Sequence, residues 1–132
     1  MRILLVEDDA MVSTMVIKAL IQEGHNLTLA VDGLDGMDKF KSDPFIELVI
    51  TDYNMPDFNG AELAEFIKNR DKEIPVVMIT GFSSEFSRLE AYSLGIDFYM
   101  EKPLDLADLV QLIKIFEPIS CSECKSSGKP TE

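Results

Sequence analysis

Short apolar runs punctuate the chain at regular intervals. Continuous apolar stretches at residues 3–6, 48–50 and 76–79 predict strands that are buried on both faces of a parallel sheet. Residues 98–100 predict another central strand, whereas the more alternating pattern at residues 27–31 suits the edge of a sheet. The chain is therefore predicted to supply five strands.

Apolar residues at helical spacing separate and follow these strands. The periodic positions are Val12, Val16, Ala19 and Leu20; Leu34, Met37 and Phe40; Leu63, Phe66 and Ile67; Phe86, Leu89 and Tyr92; and Leu106, Leu109, Val110, Ile113 and Phe116. Gly24 and Gly95 are placed to end the first and fourth helices, and Asp105 to cap the fifth with Asp108 at the capping-box position. The pattern thus predicts a helix after each strand.

Strict alternation of strands and helices predicts an α/β fold. Right-handed crossovers then give a five-stranded parallel sheet with helices on both faces. In such a sheet a ligand binds beyond the carboxyl ends of the strands, where the strand order reverses. We predict one domain over residues 1–117, followed by a polar tail, residues 118–132, that is expected to be disordered.

Charge and composition narrow the function classes. The 132 residues carry a net charge of −12, so the surface potential repels a nucleic-acid backbone and we expect no direct DNA binding. No apolar run approaches the roughly 20 residues that span a bilayer, and the first residues lack a signal peptide's apolar region. We therefore expect a cytoplasmic protein without a membrane segment.

Residues that could bind a ligand or take part in a reaction follow four of the predicted strands. The ends of those strands share one edge of the sheet. These residues are Glu7 and Asp8, Asp52 and Asn54, Thr80 and Gly81, and Lys102 and Pro103. Crowded carboxylates need a compensating cation, and hard oxygen ligands without His or Cys favour Mg²⁺ or Mn²⁺. The alternative is that strand-end acids only cap the following helices, which is the interpretation we prefer for Asp9.

In this order the motifs resemble the receiver domain of two-component response regulators, particularly the chemotaxis type. The resemblance is carried by the acidic pair at residues 7–8, the sequence DYNMP at residues 52–56, Thr80, and the Lys102–Pro103 pair. It covers about residues 1–116. It implies the flavodoxin-like receiver fold with strand order 2-1-3-4-5.

The resemblance also implies roles for the acidic residues. Asp52 would be the phosphoacceptor, and the metal ligands would be Asp8, Asp52 and the backbone carbonyl of Asn54. Glu7 would reach the metal through a water molecule. The implied metal is Mg²⁺, with Mn²⁺ possible.

Further residues would contact the phosphoryl group or respond to it. The resemblance places the Thr80 hydroxyl, the Gly81 N–H and the Lys102 ammonium on the phosphoryl oxygens, and makes the peptide bond before Pro103 cis. Tyr99 would form a switch pair with Thr80, its ring filling the space that the hydroxyl vacates. The alternative is that Tyr99 is a core ring with a solvated hydroxyl.

The implied function is a phosphoacceptor switch. The donor would be a sensor histidine kinase or a histidine phosphotransfer protein. The output would be a changed surface on the fourth helix, fifth strand and fifth helix, presented to an unknown downstream partner. The chain would act as a monomer or a phosphorylation-dependent dimer, with no enzymatic turnover beyond slow loss of its own phosphoryl group.

Two other functions compete with the switch. A receiver-like module could bind partners without phosphorylation, although no residue of the site is missing. The second competing function is that of a true enzyme on a similar fold, either a flavin carrier or an aspartate-nucleophile phosphatase. The acidic loop after the first strand would repel a flavin phosphate, and it reads Glu7-Asp8-Asp9 where such phosphatases carry an Asp-x-Asp nucleophile motif.

The remaining special residues are predicted to be incidental. His25, the only histidine, follows the helix stop at Gly24 and is predicted to face solvent, and without a helical histidine among acids and bases the chain is not expected to be a phosphodonor. Cys121 and Cys124 supply half the ligands of a structural zinc site, so we interpret them as reduced tail thiols.

Overall fold

The computed structural model describes residues 1–55, 58–81 and 95–117. The helix predicted around Phe86, Leu89 and Tyr92 and the tail with its two cysteines lie outside the described residues. The elements are β1 (Arg2–Val6), α1 (Ala10–Gln22), β2 (Asn26–Ala30), α2 (Gly33–Ser42), β3 (Leu48–Asp52), α3 (Gly60–Arg70), β4 (Val76–Thr80), β5 (Phe98–Glu101) and α4 (Leu106–Phe116). Here α4 is the fifth helix of the sequence pattern.

The five strands form one parallel sheet in the order β2-β1-β3-β4-β5. This confirms the predicted α/β fold, its strand order and the edge position of β2. The prediction of a central strand at residues 98–100 was wrong, because β5 ends the sheet beside β4. Its side chains alternate accordingly, with Phe98 38% exposed and Tyr99 8% exposed.

Two apolar clusters cover the two faces of the sheet, as expected for helices on both sides. Alternate side chains along β1 divide between them, with Leu4 in one cluster and Leu5 in the other. Helices α2 and α3 cover the first cluster, while α1 and α4 cover the second. Each face is closed by helices, so polar chemistry is confined to the ends of the strands.

Helix α1 has well-formed caps at both ends. The Asp9 carboxylate accepts from the N–H groups of Met11 and Val12, which confirms its role as a helix cap. At the other end Gly24 has φ +92°, and its N–H donates to the carbonyl of Ile21. A second bond from His25 N–H to the Leu20 carbonyl completes a Schellman turn. Gly24 therefore stops the helix as predicted.

The other predicted helix ends are confirmed only in part. Gly95 has φ +88°, as a helix-stopping glycine would, although the helix before it lies outside the described residues. Asp105 caps α4 through the N–H groups of Ala107 and Asp108. A reciprocal capping box, which the sequence placed at Asp105 and Asp108, is described instead at the start of α3 between Asn59 and Glu62.

His25 is buried, so the prediction of a solvent-facing histidine was wrong. The residue is only 6% exposed. Its Nδ1 lies 2.9 Å from the α-ammonium nitrogen of Met1, and its Nε2 lies 3.2 Å from Glu117 Oε2. The turn after α1 carries the ring beside Met1, the residue before β1, and beside Glu117, the residue after α4.

Across the described ranges, no helix combines the length and the apolar character that crossing a membrane would need.

Candidate functional site

The strand register brings the predicted site residues to one edge of the sheet. Val6, the last residue of β1, lies beside Thr51, and Asp52 lies beside Ile79. Thr80 lies beside Glu101 at the end of β5. The residues that follow these positions leave the sheet together, which is why strand-end residues far apart in sequence become neighbours.

Three carboxylates meet at this edge. Glu7, Asp8 and Asp52 each offer a carboxylate oxygen, and these oxygens all lie within 4.8 Å of one another. Glu7 is 2% exposed and Asp52 3% exposed, whereas Asp8 is exposed. Three hard oxygen donors with one open side suit a divalent cation such as Mg²⁺, which keeps several water ligands. The donor set therefore fits the metal that the sequence predicted.

Lys102 supplies the positive charge of the acid cluster. Its Nζ lies 3.2 Å from Asp52 Oδ2 and 3.9 Å from Glu7 Oε2. Burial alone would lower the pKa of Lys102, but the nearby carboxylates, Asp52 foremost, raise it above the ordinary value. The ammonium is therefore charged at neutral pH and aimed at Asp52.

The backbone around Lys102 fixes where its side chain starts. The Lys102 N–H donates to the Thr80 carbonyl at 2.8 Å, which extends the pairing of β4 and β5 by one residue. The Lys102–Pro103 peptide bond is cis, as the resemblance implied.

The pKa of Glu7 is strongly raised in the folded protein. Burial, followed by repulsion from Asp52, raises its pKa to about 7, although the Asp9 N–H donates to Glu7 Oε2 at 3.1 Å and works in the opposite direction. At neutral pH this carboxyl is held near its titration midpoint. A group in this state can shed its proton when a cation arrives.

The start of the loop after β3 lies beside Asp52. The Asn54 N–H donates to Asp52 Oδ1 at 3.3 Å, so this loop already contacts the predicted phosphoacceptor. The Asn54 amide also lies near Gly81, where an added Cβ would sit 3.7 Å from its Nδ2. The role of the Asn54 backbone carbonyl as a metal ligand stays a prediction.

Thr80 and Tyr99 share one face of the sheet. Thr80 is fully buried and its hydroxyl points towards the Gly81 carbonyl at 3.4 Å. Tyr99 lies opposite Met78, two residues before Thr80 on the same face, and its ring packs in the first core cluster. The pair is therefore diagonally adjacent, an arrangement compatible with the predicted switch and also with a plain core ring.

Gly60 belongs to the site, although it was not among the predicted site residues. Its N–H donates to the Tyr53 carbonyl at 3.1 Å, and a Cβ at this position would lie 2.4 Å from the backbone oxygen of Asp52. Only glycine lets the start of α3 approach the end of β3 so closely. The signal that could have revealed it is the Asn59-x-x-Glu62 capping box, which places Gly60 at the first position of a helix.

Comparison with known proteins gives the family. Residues 3–114 match the model of the response regulator receiver domain. The chain is 36% identical over 114 residues to the chemotaxis protein CheY of Treponema pallidum, covering 85% of this chain and 79% of that protein. It is also 36% identical over 117 residues to a probable transcriptional regulator, ycf29, of Porphyra purpurea, covering 85% of this chain and 54% of the regulator.

Solved structures agree with these relatives. A CheY-like receiver domain protein from Methanospirillum hungatei superposes with a TM-score of 0.81 at 30% identity, covering 86% of this chain and 90% of that one. The chain spans about half the length of the transcriptional regulators that it matches. The sheet order, the acid cluster at the strand ends and these matches agree, and the chain belongs to the response regulator receiver domain family of two-component systems.

Proposed function

We propose that Asp52 accepts a phosphoryl group from a phosphohistidine, carried by a sensor histidine kinase or a histidine phosphotransfer protein. The observation that carries this proposal is the Lys102 ammonium, held 3.2 Å from the buried Asp52 carboxylate inside the acid cluster. The Asp52 carboxylate has a cation beside it, and the neighbouring Asp8 is exposed to solvent. Both features suit an attack on a phosphorus atom.

The chemistry of the transfer can be written from the chain's own groups. A carboxylate oxygen of Asp52 forms a bond to phosphorus as the bond from phosphorus to the donor histidine nitrogen breaks, and that nitrogen keeps the electron pair. In the transition state, negative charge spreads over the three oxygens of the phosphoryl group. Stabilising that charge accounts for most of the catalysis. Lys102 neutralises part of that charge. The Gly81 N–H is proposed as a second hydrogen-bond donor to these oxygens.

Mg²⁺ is the proposed cofactor, with Mn²⁺ as the alternative. Glu7, Asp8 and Asp52 would hold it, Glu7 through water and the other two directly, and the Asn54 carbonyl would complete the set. When bound, the ion neutralises the carboxylates and the incoming phosphoryl oxygens. Without a cation, three clustered acids would repel a dianionic phosphoryl donor, so metal binding and phosphorylation should depend on each other.

The phosphorylated state would act as a signal rather than as a step of turnover. We propose that the Thr80 hydroxyl leaves the Gly81 carbonyl for a phosphoryl oxygen, and that Tyr99 moves into the vacated space. The change would reach the surface formed by β5 and α4, for a downstream partner whose identity is open. Slow hydrolysis of the Asp52 acyl phosphate would end the signal, so the chain is proposed as a cytoplasmic switch and not as an enzyme.

Beryllofluoride, a phosphoryl mimic, separates this switch from a receiver-like module that works without phosphorylation. Amide spectra of ¹⁵N-labelled protein would be recorded with Mg²⁺ alone and with Mg²⁺ plus beryllofluoride. The switch predicts that resonances around Thr80 and Tyr99 shift only with both reagents, and that Asp52→Asn abolishes the shift. A spectrum that beryllofluoride leaves unchanged would favour the module.

A further inference from the structure

The first turn of α2 lies between the two chain segments that carry the acid cluster. One segment is the end of β1, which Glu7 and Asp8 follow directly. The other is the connection from β3 to α3, which begins directly after Asp52. Two buried glycines of α2, Gly33 and Gly36, make the contacts. The spacing of the two segments therefore depends on how closely this turn can approach them.

Gly33 lies directly against the backbone of the connection from β3 to α3. A Cβ added to Gly33 would overlap the carbonyl oxygen of Phe58 and would lie 2.9 Å from its carbonyl carbon. Because these are backbone atoms, no change of side-chain rotamer can make room for it. The contact leads on to the acid cluster, since Phe58 is two residues before Gly60, whose N–H donates to the Tyr53 carbonyl at 3.1 Å. A larger residue at position 33 would therefore displace the segment that begins after Asp52.

Gly36 makes the corresponding contact with β1. A Cβ added to Gly36 would lie 2.9 Å from Val6 Cγ2 and 3.2 Å from Leu63 Cδ2. Both side chains are fully buried in close-packed surroundings, so neither can move away freely. Val6 is the last residue of β1, and the Glu7 N–H that follows it donates to the Ala30 carbonyl at 3.0 Å. A Cβ at position 36 would therefore press on the strand end that presents Glu7.

Side-chain hydrogen bonds hold this turn of α2 in place. Asp32 caps the helix by accepting from the Asp35 N–H at 2.8 Å, and the Asp35 carboxylate accepts from the Val31 N–H at 3.0 Å. Lys39 pairs with Asp35 at 2.9 Å, one turn further along the helix. Because the connection from β2 to α2 is closed by these bonds, the turn is poorly able to retreat when one of its contacts is crowded.

We propose that Gly33 and Gly36 are positioning residues of the metal site, which set the distance between the acids that follow β1 and Asp52. The oxygens of the three acids come within 4.8 Å of one another because both segments lie against the same turn. The two glycines act through Phe58 and Val6, so they govern the geometry of the ligands and not their chemistry. The inference rests on the proposed Mg²⁺ site.

The coordination chemistry of Mg²⁺ makes this spacing matter. The ion demands near-octahedral geometry with ligands at roughly 2.0–2.1 Å, so it tolerates misplaced carboxylates poorly. Groups that only orient the ligands of a metal commonly account for ~10–100-fold in its affinity. Displacement of either segment should therefore appear as weaker Mg²⁺ binding, separate from any loss of stability.

Isothermal titration with Mg²⁺ and amide spectra recorded in EDTA test the proposal. Gly33→Ala should weaken Mg²⁺ binding about tenfold or more, and it should shift the amides of Asp8 and Asn54 in the absence of metal. Gly36→Ala should weaken binding less, because side chains and not backbone atoms oppose its Cβ. Removing the nearest of these side chains, in the double variant Gly36→Ala/Val6→Ala, should restore much of the lost affinity.

Two single substitutions serve as controls. Val6→Ala alone shows what the loss of that side chain does while position 36 is still glycine. Ile113 lies in the second core cluster, on the other face of the sheet from α2. Ile113→Val should therefore lower stability while leaving the Mg²⁺ affinity unchanged, which separates a weaker fold from a displaced ligand set.

The double variant keeps the test decisive if Gly33→Ala does not fold. Folded alanine variants that bind Mg²⁺ as tightly as the wild type, or a double variant no better than Gly36→Ala, would overturn the proposal. A wild type that binds no Mg²⁺ would contradict the proposed metal site instead. The spectra in EDTA would then decide the spacing, because amide shifts that do not reach Asp8 and Asn54 would overturn it.

Discussion

The Lys102 ammonium lies 3.2 Å from Asp52 Oδ2 and 3.9 Å from Glu7 Oε2, so one cation serves two buried carboxylates. Lys102 directly follows the last residue of β5, whereas both acids lie at the ends of strands in the middle of the sheet. Lys102 is therefore placed to contact a group on Asp52 without being part of the metal's donor set.

Lys102→Ala should retain Mg²⁺ binding and lose the structural change that beryllofluoride induces. Thr80→Ala should behave in the same way, because its hydroxyl is proposed to contact the phosphoryl group and not the metal. Lys18→Ala, at an exposed position on α1, is the matched control. Isothermal titration with Mg²⁺ and amide spectra with beryllofluoride measure the two properties. If Lys102→Ala eliminated Mg²⁺ binding, the division of roles would be wrong.

Asp8→Asn should stabilise the metal-free protein while weakening Mg²⁺ binding and slowing phosphorylation. Its carboxylate crowds Glu7 and Asp52, but it is exposed and screened, so relief of repulsion should be about 1 kcal/mol. Thermal melts in EDTA and in Mg²⁺ measure this. Mg²⁺ should raise the wild-type midpoint and scarcely move that of the variant.

The control for this comparison is Asp38→Asn, which removes a charge from an exposed position on α2. It should match the wild type in both media. An Asp8→Asn protein that melts below the wild type in EDTA would show that Asp8 is chiefly structural, and the interpretation as a strained acid cluster would fail.

The stability of the metal-free protein should fall as pH rises from about 4.5 through about 7 because of Glu7. Its pKa is about 7 in the folded protein against an ordinary 4.5, so the folded state binds more protons in that window. Relative to Glu7→Gln, the wild type should lose on the order of 1–3 kcal/mol across it. Urea unfolding in EDTA at several pH values measures the difference, and parallel curves for the two proteins would contradict it.

Gly60→Ala should destabilise the fold by about 1–3 kcal/mol and slow phosphorylation. Alanine ordinarily stabilises a helix relative to glycine, but here its Cβ would lie 2.4 Å from the Asp52 carbonyl oxygen and would displace the loop after β3. Gly81→Ala is the matched control, because among the described residues its Cβ meets only Asn54 Nδ2, at 3.7 Å. Urea melts of both variants should separate them clearly. Equal stabilities would contradict the close approach.

Sequence patterns predicted the strands and the acid cluster for the same physical reason. A parallel sheet collects the carboxyl ends of its strands at one edge, so Asp8 and Asp52 meet once their strands are identified. The apolar pattern alone missed the edge position of residues 98–100, which the strand order implied by the resemblance contains, because a short apolar run does not show how many neighbours the strand has. The burial of His25 was missed because Met1 and Glu117 approach it only in the folded chain.

The central claim is that Asp52 is the phosphoacceptor, and direct phosphorylation tests it. Wild type and Asp52→Asn would be incubated with acetyl phosphate and Mg²⁺, and intact mass spectrometry would count the phosphoryl groups. The wild type should gain one group, which hydroxylamine removes and EDTA prevents, while Asp52→Asn should gain none. Equal labelling of the two proteins would contradict the assignment.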